Sequence, residues 1–108
     1  MSTVLFVYGT LAPGEENAHI MDGMDGDWCK ASVHGTRNSK GWGVNKGHPG
    51  FIPDADGGIV NGLVFASNDL PANWARLDEF EGVDYKRVSI KATLENGDAI
   101  KAQIYSAV

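Results

Sequence analysis

Cysteine is nearly absent from this chain. Cys29 stands alone, so no internal disulfide can form, and nothing calls for an oxidising compartment. The expected location is the cytoplasm. Basic charge is also scarce, nine Lys and Arg against fourteen Asp and Glu, for a formal net charge of -5. Affinity for a phosphate backbone comes mainly from clustered Lys and Arg, so no nucleic-acid partner is expected. Long apolar runs are missing too. The opening MSTVLFVYG has no basic leader, and its apolar stretch is too short for a signal-peptide core or a membrane span. A soluble protein without a membrane partner is expected. Glycine, by contrast, is abundant at 14 residues, about twice the usual share. The glycines follow no period, which excludes collagen-like and solenoid architectures. A length of 108 residues predicts one domain over residues 1–108, able to bury a core without staples.

What is present begins with Val4-Leu-Phe-Val-Tyr8, a run of branched and aromatic residues that fits a covered, pleated surface and ends at Gly9. Glycine there allows either a plain turn or a close approach of backbone N–H groups to something bound. A short helix is expected over Glu15–Met21, ended by Gly23, and a strand over Asp27–Thr36. The glycine-broken stretch RNSKGWGVNKGHPG is long enough for a functional loop. Phe51 and Ile52 predict a short strand, Pro53–Gly58 a turn, and Ile59–Ala66 a strand in which Gly62 marks a bulge or bend. SNDLPANWARLDEFEG changes period to that of a helix, with Asn68 or Asp69 as cap, Pro71 in the first turn and Gly82 as the stop.

The last segment predicts a β-hairpin. With Glu95-Asn96-Gly97 as a three-residue loop, Val88, Ile90 and Ala92 face Ile104, Ala102 and Ile100, and the apolar sides coincide. A two-residue Asn-Gly loop sets Ile90 and Ala92 against Gln103 and Lys101 and wastes the buried face. The three-residue loop places Lys91 opposite Lys101, a small penalty that solvent screens. The expected fold class is α+β and dominated by sheet.

One carboxylate lies on the wrong side of the helix. At about 100° per residue, Leu70, Trp74 and Leu77 define a buried stripe, and Glu81 falls within it. Asp78 lies at the stripe's edge and Glu79 points away. A buried charge is costly, and the C-terminal end of the helix dipole disfavours a negative one, so a raised pKa is expected there. Such a group suits taking and returning a proton. The alternative is a helix that frays at Phe80 and turns Glu81 to solvent.

Tyr8-Gly9-Thr10-Leu11, followed far along the chain by LDEFEGVDYKR, resembles the γ-glutamylcyclotransferase-like family, in its γ-glutamylamine cyclotransferase and AIG2-like branch. HPGFIPDADGGIVNGLVF resembles that family's loop, turn and Gly-containing strand, so the likeness spans nearly the whole chain. It implies a small mixed β-barrel of about five to six strands with one or two short helices. It implies that backbone amides of Gly9, Thr10 and Leu11, after Tyr8, hold a γ-glutamyl group, that Glu81 is the catalytic carboxylate, and that Tyr85 stands near the pocket. The family's Asn-His appears here as Asn17-Ala18-His19, its GEVY strand as Gly62-Leu63-Val64-Phe65, and only Val83 and Asp84 separate Gly82 from Tyr85. These departures leave the leaving-group specificity open.

The reaction so implied is internal. The α-amine of a γ-glutamyl group attacks its own γ-carbonyl, closing 5-oxoproline and expelling an amine. It needs base, acid and oxyanion donors but no metal or cofactor. The expected partner is a small γ-glutamyl substrate, with the oligomeric state undetermined. Other motifs are weaker. Cys29 with His19, His34 or His48 could be a thiol dyad, but a lone strand cysteine is expected to be packing. DADGG from Asp54 has a calcium-loop look but lacks the later bidentate Glu, so a turn is expected. Trp28, Trp42 and Trp74 are candidates for core or pocket wall, with Trp42 placed to meet a ligand. A non-catalytic protein that uses the same pocket for a small anion is the alternative function.

Overall fold

The computed structural model describes residues 3–8, 12–15, 18–38, 50–83 and 85–107. Six strands run in the order β1 (Thr3–Val7), β2 (Asp27–Asn38), β3 (Gly50–Pro53), β4 (Gly58–Ser67), β5 (Tyr85–Leu94) and β6 (Ala99–Ala107). Between β4 and β5 lies the helix α1 (Leu70–Glu81). The sheet order is β3-β2-β4-β1-β6-β5, and β2 also pairs with β5 through Ala31–Leu94 and Ser32–Thr93. That second pairing closes β2, β4, β1, β6 and β5 into a five-stranded barrel with β3 as an extra strand. β1 and β6 are parallel and the other pairs antiparallel, so the barrel is mixed. The expected class of small α+β barrel is the observed one.

Alternation along the strands separates two cores. Phe6, Val33, Phe51, Val64, Ala102 and Ile104 cluster inside the barrel. Leu5, Val7, Phe65 and Tyr105 point the other way and form a second cluster with Leu70 and Leu77 of α1 and with Met21 and Met24. Residues i and i+2 share a strand face, so successive residues of β1 feed opposite layers. Leu70 and Leu77 are fully buried, each worth about 1.5–3 kcal/mol relative to exposure.

The helix is anchored less by its own cap than by the segment before β2. Asp69 occupies the N-cap without a side-chain cap bond; its Oδ2 accepts the Asp25 N–H at 2.9 Å instead. Ser67 Oγ accepts the Asp69 N–H at 3.0 Å and donates to the Asp25 carbonyl. The helix stops at Gly82, whose φ of 81° is open to glycine and whose N–H returns to the Asp78 carbonyl at 3.0 Å.

The hairpin has the three-residue loop. Gly97 takes φ 95°, and Val88, Ile90 and Ala92 pair with Ile104, Ala102 and Ile100. Two sequence expectations need correction. The described part of the segment Glu15–Met21 is a single 3-10 turn, Ala18–Met21, with Glu15 in a bend; its short length leaves no room for an α-helical stripe. Gly62 makes no bulge, because the β2–β4 register runs unbroken from Asp27–Ala66 to Gly35–Gly58. Its lack of a side chain instead leaves space for Phe6 and the Val7 carbonyl.

Candidate active site

Glu81 closes α1, and the helix does not fray before it. Its residue exposure is 6%, against a fully buried Leu77 one turn earlier, while Glu79 is exposed on the other side. Val83 projects into solvent at 90% exposure. The chain then turns back, with the Tyr85 N–H bonded to the Gly82 carbonyl at 3.3 Å, and Tyr85 opens β5 with its side chain buried. Two of the candidate residues, Glu81 and Tyr85, thus flank one tight turn.

Tyr8 follows β1 directly. Its ring lies 6.5 Å from that of Phe6 and 5.3 Å from that of Phe51, which holds it at the barrel's interior edge. Its hydroxyl donates to the Tyr105 carbonyl at 2.9 Å. Gly9, Thr10 and Leu11 lie outside the described residues, as do Trp42 and His48. The residues on either side of that segment, Tyr8 and Ala12, both line a cavity of about 800 Å³, together with Val7, Glu15, Lys30, Asn61, Gly62 and Leu94. This volume lies within the usual range for small-molecule sites. Glu81 and Tyr85 are not on its described wall. Val7 connects the two places, since it lines the cavity and belongs to the same core cluster as Leu77, Tyr85 and Tyr105.

Three further polar residues gather beside Glu81. Tyr105, buried on β6, donates its hydroxyl to Asp78 Oδ1 at 2.7 Å. Arg87, its cross-strand partner on β5, brings Nη1 to 3.5 Å from the same oxygen and lays its guanidinium 4.3 Å from the Trp74 ring centre. Burial pushes the Tyr105 phenol well above the ordinary tyrosine range. The hydrogen bond to Asp78 and its charge add to the rise, Arg87 opposes it, and the Glu81 charge contributes further.

The sequence profile of the family described as γ-glutamyl cyclotransferase, AIG2-like, matches residues 5–107. The chain belongs to that family. An Arabidopsis thaliana protein of known solution structure is 30% identical, with a TM-score of 0.75 over 100% of this chain and 63% of its own. YkqA of Bacillus subtilis is 25% identical, with a TM-score of 0.74 over 99% of this chain and 36% of its own. A mouse AIG2-like protein shares the fold at 20% identity and a TM-score of 0.76, over 99% of this chain and 78% of its own. The chain therefore spans about a third of the Bacillus protein and under two thirds of the Arabidopsis one. No curated protein matches it.

Within this cyclotransferase fold, the residues missed by sequence reasoning are Asp78, Arg87 and Tyr105. Their signal was present: the hairpin register that pairs Ile90 with Ala102 also sets Arg87 opposite Tyr105, and Asp78 precedes Glu81 by one turn.

Other expectations are corrected or placed. Cys29 is exposed, not packed. Strand β2 pairs with β4 from Asp27 to Gly35 but with β5 only at Ala31 and Ser32, so no strand covers Cys29 on that side. His34 lies five residues from Cys29 along β2, roughly 17 Å at strand rise, too far for a dyad. Asp54–Gly57 is a turn closed by the Gly57 N–H on the Asp54 carbonyl at 2.8 Å. Trp28 packs on Phe65 at 4.8 Å. Among the described residues, no group of three or more His, Cys, Asp or Glu side chains converges to hold a metal.

Proposed function

We propose that this protein is an enzyme that releases 5-oxoproline and a free amine from a γ-glutamyl amine or amide, with Glu81 carrying the proton. The observation behind this reading is the carboxylate of Glu81, buried at the C-terminal end of α1 in a chain of the γ-glutamyl cyclotransferase, AIG2-like family. A carboxylate can take a proton as a base and later return it as an acid, as this reaction requires.

In the proposed reaction the α-ammonium gives a proton to Glu81, and the free amine attacks the γ-carbonyl carbon of the same glutamyl group. Ring closure forms the new C–N bond, and negative charge collects on the former carbonyl oxygen. Collapse breaks the bond to the leaving nitrogen, which takes the proton back from Glu81, while the ring nitrogen sheds its second proton by way of Glu81 or solvent and the released amine departs as an ammonium ion. Because the nucleophile is internal, orientation supplies much of the rate, with effective molarities of ~10⁵ M or more for a well-aligned pair. The amides of Gly9, Thr10 and Leu11 are the proposed holders of the γ-glutamyl group and donors to the oxyanion. Tyr8 and Tyr85 are the proposed pocket residues. The glutamyl group would lie between those amides and Glu81, with its leaving amine directed towards the cavity space beside Tyr8 and Ala12, and the cytoplasm is the proposed setting.

The test is a screen of γ-glutamyl amines, γ-glutamyl dipeptides and glutathione for 5-oxoproline release, repeated with two variants. Glu81→Gln is expected to lower turnover by at least ~10²-fold to 10⁴-fold, the usual contribution of general acid–base catalysis, while keeping the fold. Glu79→Gln, on the exposed side, is expected to behave like wild type. Equal turnover by wild type and Glu81→Gln would remove Glu81 from the chemistry. Ligand binding without turnover by wild type would favour a small-anion-binding protein instead.

A further inference from the structure

Tyr105 is attached at both ends. Its backbone carbonyl accepts the Tyr8 hydroxyl at 2.9 Å, and its own hydroxyl donates to Asp78 Oδ1 at 2.7 Å. The first bond reaches the residue that directly follows β1. The second reaches the helix that ends in Glu81, one turn before that residue. Asp78 is a strange partner for a buried phenol, because its side chain is 45% exposed and a phenylalanine would fill the same space without needing one. The same Asp78 oxygen is approached from the neighbouring strand by Arg87 Nη1 at 3.5 Å, and Arg87 is in turn fixed against Trp74 of α1 at 4.3 Å. The β5–β6 ribbon therefore grips the helix at Trp74 and Asp78, and the Gly82 N–H on the Asp78 carbonyl carries that grip to the helix end.

We propose that Tyr105 is a positioning residue which, through Asp78, fixes the last turn of α1 and so holds the Glu81 carboxylate in its place. The proposal rests on Glu81 being the proton carrier, but its geometry can be tested without turnover. Every charged or titratable group named at this contact belongs to it: Asp78 and Glu81 from α1, Arg87 from β5, Tyr105 from β6.

Tyr105→Phe removes the hydroxyl but keeps the ring and the carbonyl that holds Tyr8. The expected result is a kcat lower by ~10-fold to 100-fold, the scale on which misplacing a catalytic group by about 1 Å acts, with KM within ~2-fold of wild type. Asp78→Ala should cost the same, and the double variant no more than either single one, because both break one link. Asp78→Asn, which retains an oxygen to accept the Tyr105 proton, should recover most of the loss. Unchanged kcat in both single variants, additive losses, or a raised KM at constant kcat would overturn the proposal. Should Tyr105→Phe fail to fold, Asp78→Ala, at an exposed helix position, answers the same question. The readout independent of turnover is the ¹³C resonance of the Glu81 carboxyl group. It should move or broaden in Tyr105→Phe and Asp78→Ala and stay in place in Glu79→Ala. An unmoved resonance sinks the positioning role even in an active enzyme, whereas a moved resonance in a wild type that releases no 5-oxoproline sinks only the catalytic reading.

Discussion

Tyr105 holds its phenolic proton more tightly in the folded protein than in the unfolded chain, because burial and the Asp78 carboxylate both oppose the phenolate. The consequence for stability has a definite sign. The contribution is fully present below the ordinary tyrosine value of about 10 and is lost as pH climbs past it towards the raised folded value, since the unfolded chain releases the proton first. Urea midpoints measured from neutral pH to about 11 should fall more steeply at the alkaline end in wild type than in Tyr105→Phe. Parallel curves would show that the hydroxyl is as free to ionise in the folded state as outside it. Glu81 belongs to the same scale: Glu81→Gln keeps the shape of this buried side chain without its charge and should be no less stable than wild type even as turnover is lost.

At the scale of elements, the close approach of β1 and β4 depends on one missing side chain. A Cβ on Gly62 would sit 2.5 Å from the Val7 carbonyl oxygen and 2.7 Å from Phe6 Cζ. The ring can shift, but the carbonyl is backbone held in the β1–β4 ladder, where Val7 pairs with Leu63. Gly62→Ala is therefore expected to cost about 1–3 kcal/mol, the usual penalty for overpacking, read as a lower urea midpoint. It should also disturb Tyr8, which directly follows Val7, so that the Tyr8 ring resonances shift along with the midpoint. Wild-type stability in Gly62→Ala would mean that β1 yields freely. The β5–β6 hairpin illustrates the converse case. Its register was legible because only a three-residue loop lets Val88, Ile90 and Ala92 share a face with Ile104, Ala102 and Ile100.

For the whole molecule, the barrel closes through two short seams, β1–β6, registered at Leu5–Gln103 among the described residues, and β2–β5. Strand β4 is held on both sides, by β1 through Val64–Phe6 and by β2 through Val64–Cys29, whereas β2 meets β5 only at Ala31 and Ser32, with one further bond from the Glu95 N–H to the Lys30 carbonyl at 3.2 Å. Local opening is expected at such short seams, the β2–β5 one included. Native-state hydrogen exchange is expected to show the Glu95 amide opening at low free energy, while amides in the middle of β4 exchange only on global unfolding. Equal protection at the two places would mean that the barrel opens as one unit. The cavity borders this seam at Ala31, Ser32, Thr93 and Leu94, so a bound ligand that bridges it should raise the protection of Glu95 above all.

By itself the sequence determined the local and the periodic. The run from Val4 to Tyr8, the stripe of Leu70, Trp74 and Leu77, the stop at Gly82 and the hairpin register follow from side-chain shape, 3.6- and 2-residue periods and the freedom of glycine. The inward place of Glu81 was legible for the same reason, as it shares the helix face of Leu77. What the tertiary structure alone decided depends on distant partners. Cys29 is exposed because β5 stops short of it, Asp69 bonds Asp25 rather than its own helix, and Gly62 serves Phe6 rather than a bulge. Tyr105 acquired its link to Asp78 only when the barrel brought β6 beneath α1. None of these partners lies within a turn or a hairpin of the residue concerned, and a pattern read along the chain carries no information about contacts that closure of the barrel creates.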